Sequence, residues 1–188
     1  MADKINVISI CGSLRKGSFN AALQRGLPGL APPDMSITAA PPWASFPIYN
    51  ADDQTASGFP AAVETLAAAI RAADGVIVVT PEYNYSIPGG LKNALDWLSR
   101  LKDQPFLNKP VAIQSATGGP LGGGRMQYHL RAAMVFLDAH VFNKPEIFVG
   151  MAQTKFDDKL ELKDEATINF VKQQLAGFEK YVRKLAGK

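Results

Sequence analysis

Three polar loops, each following a short apolar run, hold most of the residues that could do chemistry. The first loop is GSLRKGSFN at 12–20, with two serine hydroxyls, an asparagine amide, two cations and two glycines. A helix start presents unpaired N–H groups and a partial positive charge, so it favours an anion. Added to hydroxyl and amide donors and an arginine charge, this predicts a phosphate site. The candidate residues are Ser13, Arg15, Ser18 and Asn20.

The alternative for this loop is a helix cap, which Ser18 or Asn20 could provide in any protein. The spacing also separates the loop from two better-known phosphate motifs. Its glycines fit G-x-x-x-x-G-K-[ST], but Ser18 and Phe19 stand where lysine and a hydroxyl residue are needed. The fingerprint G-x-G-x-x-G fails because Ser13 and Leu14 follow the first glycine. Side-chain hydroxyls suit a terminal phosphate, so a mononucleotide such as FMN fits better than a dinucleotide.

The second loop, PEYNYSIPGG at 81–90, combines aromatic rings, amides and a restricted backbone. A flat tricyclic ring needs apolar or aromatic contact on its faces and hydrogen bonds along its polar edge. Tyr83, Asn84 and Tyr85 could meet both needs within one turn. The alternative is a tyrosine-rich β-turn without a ligand.

The third loop runs from Thr117 to Arg125 and has five glycines in the seven positions 118–124. Glycine allows a backbone to approach a ligand closely and to adopt positive φ. Ser115 and Thr117 could donate hydrogen bonds toward the ring edge or the ribityl hydroxyls. Arg125 begins the next helix, where it could face the ring, a nicotinamide dinucleotide phosphate or a subunit partner. The alternative is a flexible surface loop.

The elements around these loops alternate between strands and helices. Apolar runs predict strands over 5–11, 35–39, 75–80 and 110–116, with a broken fifth strand around Val141 and 147–149. Between them we expect helices over 18–27, which Pro28 could kink, 60–73, 88–101 and 124–138, with a last helix from about 164. This α/β order implies a parallel sheet with helices on both faces, and ligands beyond the carboxyl ends of the strands. All three loops fall at that edge.

Length and composition limit the class of protein. The chain has 188 residues, 47% of them hydrophobic, and we expect a single domain over 1–188. Cys11 is the only cysteine, and two histidines make a zinc cluster implausible, so no metal is expected. A net charge of +3 is too small to indicate a nucleic-acid-binding surface. Its positive sign argues against an electron carrier that docks through an acidic surface. Without a span of roughly 18 apolar residues or a secretory signal, we expect a cytoplasmic protein and no membrane span.

The motifs GSLRKGSFN at 12–20 and TPEYNYSIPGGLKNALDWLSR at 80–100 closely resemble the NAD(P)H-dependent FMN reductase family, above all its bacterial quinone and chromate reductase branch. The resemblance covers essentially the whole chain. It implies a flavodoxin-like three-layer sandwich with a five-stranded parallel sheet of order 2-1-3-4-5, non-covalent FMN, NAD(P)H as electron donor, and a homodimer or homotetramer. It assigns the phosphate to Ser13, Arg15, Ser18 and Asn20. It assigns the ring and ribityl chain to Pro81, Glu82, Tyr83, Asn84, Tyr85, Ser86, Ser115 and the glycines from Gly118.

No side chain stands out as a nucleophile. Cys11 ends a buried strand and is expected to belong to the core, and His129 and His140 have no evident partner. Flavin chemistry needs no protein nucleophile, because the cofactor carries the reaction. We expect the nicotinamide donor and then an oxidant, such as a quinone, flavin, nitro or azo compound or chromate, to occupy one shared place. That arrangement predicts ping-pong kinetics.

Other features leave alternatives open. Arg15, Lys16 and Arg125 are expected to make the mouth of the site positive and to favour NADPH and anionic acceptors. The segment 42–59 is either a lid or subunit contact, or a packed surface loop. Two rival classes are a flavodoxin-type electron carrier and a flavin-binding module without enzymatic activity. A third alternative is a reductase that uses FMN as a released substrate.

Overall fold

The computed structural model describes residues 4–187, and in them β-strands alternate with α-helices along the chain. The strands are β1 (Ile5–Cys11), β2 (Met35–Ala39), β3 (Gly75–Val79), β4 (Pro110–Ala116), β5 (His140–Val141) and β6 (Ile147–Val149). The helices are α1 (Phe19–Leu30), α2 (Ala51–Ser57), α3 (Ala61–Ala72), α4 (Gly89–Ser99), α5 (Gly124–Phe136) and α6 (Glu165–Leu185), with a 3₁₀ turn at Ala152–Thr154. None of the helices within 4–187 has both the length and the apolar character needed to cross a bilayer.

The strands form one parallel sheet in the order β2-β1-β3-β4-β5, which confirms the predicted order. Its fifth position is divided, as the sequence predicted. β5 pairs with the start of β4, where Pro110 lies opposite His140, and β6 pairs with its end, where Gln114 lies opposite Ile147. This order makes the fold flavodoxin-like and brings the loops after β1, β3 and β4 to neighbouring places at one edge.

Helices cover both faces of the sheet, because the central strands are apolar on both sides. In β3 the side chains of Val76 and Val78 pack with α3, α4 and α5, whereas Ile77 and Val79 pack with α1 and α6. Every residue of β3 and β4 is buried. The sheet is therefore a rigid support for the loops that leave it.

Helix α1 differs from its predicted extent, since it continues through Pro28 to Leu30. Proline removes a backbone donor and crowds the carbonyl four residues earlier. Here the loss falls in the last turn, and Leu27 and Leu30 still pack against the cluster around α6. The start of the helix is close to the prediction, with Ser18 as its N-cap.

The segment 42–59 is packed onto the domain and contains α2. Trp43 and Phe46 are buried, and the Trp43 indole donates to the carbonyl of Cys11 at 2.9 Å. The indole of Trp97 in α4 donates to the Pro47 carbonyl at 2.8 Å. The structure thus favours the packed-loop alternative over an open lid. A role in subunit contact stays a prediction.

Candidate active site

The three polar loops lie against one another through contacts at the carboxyl edge of the sheet. The N–H of Gly12 donates to Val79 at 2.8 Å, and an added Cβ at Gly12 would stand only 2.0 Å from the Thr80 hydroxyl oxygen. This close approach joins the first loop to the second. The second meets the end of the third at Arg125, which pairs with Glu82, and the N–H of Met126 in α5 donates to the same carboxylate at 3.2 Å. The predicted convergence of the loops is therefore present.

The first loop presents a set of donors at the start of α1. The Ser18 hydroxyl oxygen accepts from the N–H of Ala21 at 3.2 Å, so the capping alternative is realised. The N–H groups of Phe19 and Asn20 have no acceptor among residues 4–187. The exposed Arg15 side chain donates to the Gly17 carbonyl at 2.8 Å, which keeps its charge beside this turn. Two free N–H groups, a hydroxyl and a guanidinium at a helix start suit a phosphate.

Asn20 ties the first loop to the end of β4, from which the third loop leaves. Its side chain is only 3% exposed, its amide nitrogen donates to the Ala116 carbonyl at 2.8 Å, and its amide oxygen accepts from the Ala116 N–H at 2.9 Å. The side chain is thus engaged with the end of β4, and its backbone N–H is the group left for an anion. One amide hydrogen and the amide oxygen of Asn20 therefore serve β4, and its role as a phosphate donor stays a prediction.

The second loop forms a tight turn in which Tyr83 and Ser86 exchange two backbone hydrogen bonds, at 3.0 and 2.9 Å. Asn84 and Tyr85, the two central residues, have φ values of 48° and 68°. Positive φ at both central positions is the pattern of a type I′ turn. For a tyrosine this conformation costs of order 1–3 kcal/mol and persists only where the surroundings hold it. The segment is therefore a tight β-turn that leaves Tyr85 64% exposed, and its contact with a flavin ring stays a prediction.

Glu82 and Arg125 form an ion pair that links this turn to α5. The Glu82 side chain is 7% exposed, and one of its oxygens pairs with the Arg125 guanidinium. The same guanidinium lies 3.6 Å above the centre of the Tyr85 ring. The hydrogen bond with Glu82 is the largest cause that raises the pKa of Arg125. The Glu82 carboxylate is thus engaged within the protein, and contact of this residue with the ring or ribityl chain stays a prediction.

Packing requires glycine at two positions where the third loop meets β6 and the residue after it. Gly122 has a φ of 58°, and a Cβ there would lie 2.5 Å from the carbonyl carbon of Phe148. From the other side, a Cβ at Gly150 would lie 2.3 Å from the Pro120 oxygen. The loop is therefore fixed in place, and the prediction of a flexible surface loop does not fit.

The hydroxyl of Ser115, which was assigned to the ligand, is instead bonded within the protein. It is 0% exposed, and its hydroxyl donates to the Gly122 carbonyl at 2.5 Å and accepts from Gln127 at 2.8 Å. The hydroxyl thus holds the glycine loop and cannot reach a ligand at the surface. Gly118 is exposed at the start of the loop, and its backbone contact with a ligand stays a prediction.

His129 has a partner that the sequence analysis missed. Its Nδ1 lies 3.1 Å from the Ser86 hydroxyl oxygen, so α5 contacts the turn a second time. The signal was present in the spacing, because His129 follows Arg125 by four residues and shares its helix face. Pro81 is buried directly after β3, and Ser13 is half-buried at the start of the first loop.

The comparisons with known proteins agree with this fold. The family model for NADPH-dependent FMN reductase matches residues 5–154. A quinone reductase of Escherichia coli strain K12 is 53% identical over 186 residues, which cover 98% of this chain and 99% of that one. An NAD(P)H-dependent FMN reductase of Pseudomonas aeruginosa is 49% identical over 187 residues, which cover both chains in full.

Among solved structures, FerB, a flavoenzyme NAD(P)H:(acceptor) oxidoreductase of Paracoccus denitrificans, superposes with a TM-score of 0.85. It is 29% identical, and the match covers 96% of this chain and 98% of that one. The resemblance stated from the two loop motifs is thereby confirmed. The chain belongs to the NADPH-dependent FMN reductase family, and it is an oxidoreductase that works with FMN and takes electrons from NAD(P)H.

Proposed function

We propose that this protein holds FMN at the carboxyl edge of its sheet and reduces quinones with electrons from NAD(P)H, with free flavins and chromate as further acceptors. The observation that carries the proposal is the donor set at the start of α1, which lies beside two further loops that contact one another. The names of its relatives, quinone reductase and NAD(P)H-dependent FMN reductase, support the same acceptor class.

The residues present fit FMN. The N–H groups of Phe19 and Asn20, with the side chains of Ser18 and Arg15, would hold the phosphate, and Ser13 is near enough in the chain to join them. The turn at 83–86 would lie beside the ring. When bound, FMN supplies the two-electron transfer between a nicotinamide and an acceptor.

The protein's own part is to bind, orient and leave one place open for donor and acceptor in turn. The net reaction carries a hydride from NAD(P)H, plus one proton from solvent, to a quinone, which leaves as the hydroquinone. One shared place requires that the oxidised nicotinamide leave before the acceptor enters. We therefore propose a ping-pong mechanism, for which double-reciprocal plots should be parallel. Intersecting plots would contradict this mechanism.

The experiment that tests the proposal is an absorbance spectrum of the purified protein, followed by anaerobic addition of NADPH and then of menadione. We expect a flavin spectrum that survives gel filtration, bleaches with NADPH and returns with the quinone. A colourless protein that takes up no added FMN would refute the proposal. Colour lost on gel filtration would instead indicate that FMN is a released substrate. Colour without bleaching would indicate an electron carrier or a binding module.

Arg15 gives a sharper test of the phosphate site. Removing a charged hydrogen-bond donor costs roughly 1.5–3 kcal/mol, so Arg15→Ala should weaken FMN binding by about 10- to 100-fold. Fluorescence quenching on titration of the apoprotein with FMN measures this. Lys16→Ala is the matched control, because Lys16 is an equally exposed neighbouring cation. Equal losses in the two variants would show that only general charge matters at this loop.

Substitution of Cys11 tests the expectation that the reaction uses no protein nucleophile. Burial raises the pKa of its thiol, so at neutral pH the group stays protonated and reacts slowly. We expect Cys11→Ala to keep quinone reduction within about twofold, which corresponds to about 0.4 kcal/mol. Labelling by a disulfide reagent should be much slower in native than in unfolded protein. Fast labelling that abolishes turnover would contradict this expectation.

We also propose that the protein is a homodimer or homotetramer in the cytoplasm, where NAD(P)H is available. The outer face of α5 supports association, because Tyr128, Val135 and Phe136 are exposed there. A groove of about 260 Å³ lies between α4 and α5, with Leu95, Phe136 and Leu137 on its apolar side and charged residues of α4 at its rim. Light scattering decides this point, and a monomer at micromolar concentration would contradict it.

A further inference from the structure

Helix α5 begins without a capping side chain of its own. Its N-cap is Gly123, at a φ of 86°, which has no side chain to accept from the first turn. The missing acceptor comes from the second loop, 44 residues earlier in the chain, where the Glu82 carboxylate accepts from the Met126 N–H. A carboxylate suits this position because a helix start carries partial positive charge.

The other oxygen of Glu82 holds the guanidinium of Arg125. That guanidinium is then held against the face of Tyr85, at a position where cation–π attraction operates. Tyr85 is also the residue whose backbone needs external support, because its φ is positive. A chain of contacts therefore runs from the buried carboxylate through Arg125 to the turn.

We propose that Glu82 is a positioning residue that caps α5, holds Arg125 on Tyr85 and thereby fixes the turn at 83–86. The inference rests on the proposed function, since the turn is the part of the site assigned to the flavin ring. The carboxylate does this without contacting the ligand through its own side chain.

The pair also changes the expected charge of the site. The negative charge of Glu82 compensates the positive charge of Arg125 at hydrogen-bond distance, so the pair adds no net charge to the mouth. The expectation that Arg125 makes the mouth positive does not fit this geometry. Of the three cations expected at the mouth, Arg15 and Lys16 have no carboxylate partner in the described part of the chain.

The test is a double-mutant cycle with Glu82→Gln and Arg125→Ala. Glutamine keeps the size of Glu82 and an oxygen acceptor for Met126, but it loses the ion pair. In the apoprotein, hydrogen exchange at the amides of Tyr83 and Ser86 reports the turn directly. We expect each single variant to speed exchange there by about tenfold, and the double variant to be no faster than Arg125→Ala alone.

The same four proteins are then measured with FMN bound. We expect the KM for NADPH and for menadione to rise about tenfold in Glu82→Gln while kcat changes little, because the turn orients what binds and the cofactor carries the chemistry. Glu64→Gln, on the exposed face of α3, is the matched control and should change neither exchange nor KM. Tyr85→Leu should speed exchange at Ser86 while the Met126 amide stays protected by Glu82.

Two outcomes would overturn the inference. If the exchange rates multiply in the double variant, Glu82 and Arg125 act independently. If Glu82→Gln leaves exchange in the turn unchanged, the carboxylate does not hold it. Both results are read without FMN, so they are distinct from failure of the proposed function, which a colourless wild-type protein would reveal.

Discussion

Asn20→Ala should lower the free energy of unfolding of the apoprotein by about 2–4 kcal/mol. The substitution leaves both the N–H and the carbonyl of Ala116 buried without a partner, and each such group costs about 1–3 kcal/mol. For a chain of this length the expected fall in Tm is about 4–16 °C. Urea unfolding followed by far-ultraviolet circular dichroism measures the free energy.

FMN affinity should fall in the same variant, because the tie to Ala116 also fixes the first turn of α1. The matched control is Asn50→Ala, which removes a capping amide from the exposed helix α2 and should cost only about 1 kcal/mol. If Asn20 were solely a ligand contact, its removal would weaken FMN binding and leave the apoprotein as stable as the wild type. That result would contradict the assignment of Asn20 as a tie between the first loop and β4.

The sequence was sufficient to predict the order of the sheet and the edge at which the three loops leave it. Strand β3 is a continuous apolar run because both of its faces are covered, and this local pattern is readable without any contact information. The donors of the first loop were likewise readable, since a helix start and its flanking hydroxyls lie within nine residues of the chain.

The sequence could not predict the hydrogen bonds and the ion pair that join the loops to distant elements. The tie from Asn20 to Ala116 and the pair of Glu82 with Arg125 join residues far apart in the chain, and no periodicity records such a partner. The same residue types fit a ligand or a neighbouring loop equally well. Ser115 was assigned to the ligand for this reason, although its hydroxyl is buried against the glycine loop.

The order of segment 42–59 also could not be predicted from its own sequence. Its irregular sequence resembles a mobile lid, yet Trp43 and Phe46 are buried. Trp97 in α4 donates a hydrogen bond to its backbone. A segment without periodicity can still be fixed when its order comes from side chains of another element. Ile48 is 80% exposed, so this segment also presents a large apolar side chain at the surface.

Gly122→Ala should destabilise the protein by about 2–5 kcal/mol. A side chain at a left-handed φ costs roughly 1–2 kcal/mol, and overpacking adds about 1–3 kcal/mol. The neighbour at 2.5 Å is the carbonyl carbon of Phe148, which is backbone and cannot rotate away as a side chain could. Thermal and urea unfolding of the apoprotein measure the loss.

Gly119→Ala is the matched control in the same loop, because no atom lies within 4 Å of a Cβ built there and its φ is not in the left-handed region. We expect its stability to stay within about 0.5 kcal/mol of the wild type. If the third loop served only to let a ligand approach, both variants would be stable without FMN, and both would lose affinity for it. A loss of stability confined to Gly122→Ala would instead establish that this glycine is required by the packing of the loop on β6, with the ligand coming to a surface that is already formed.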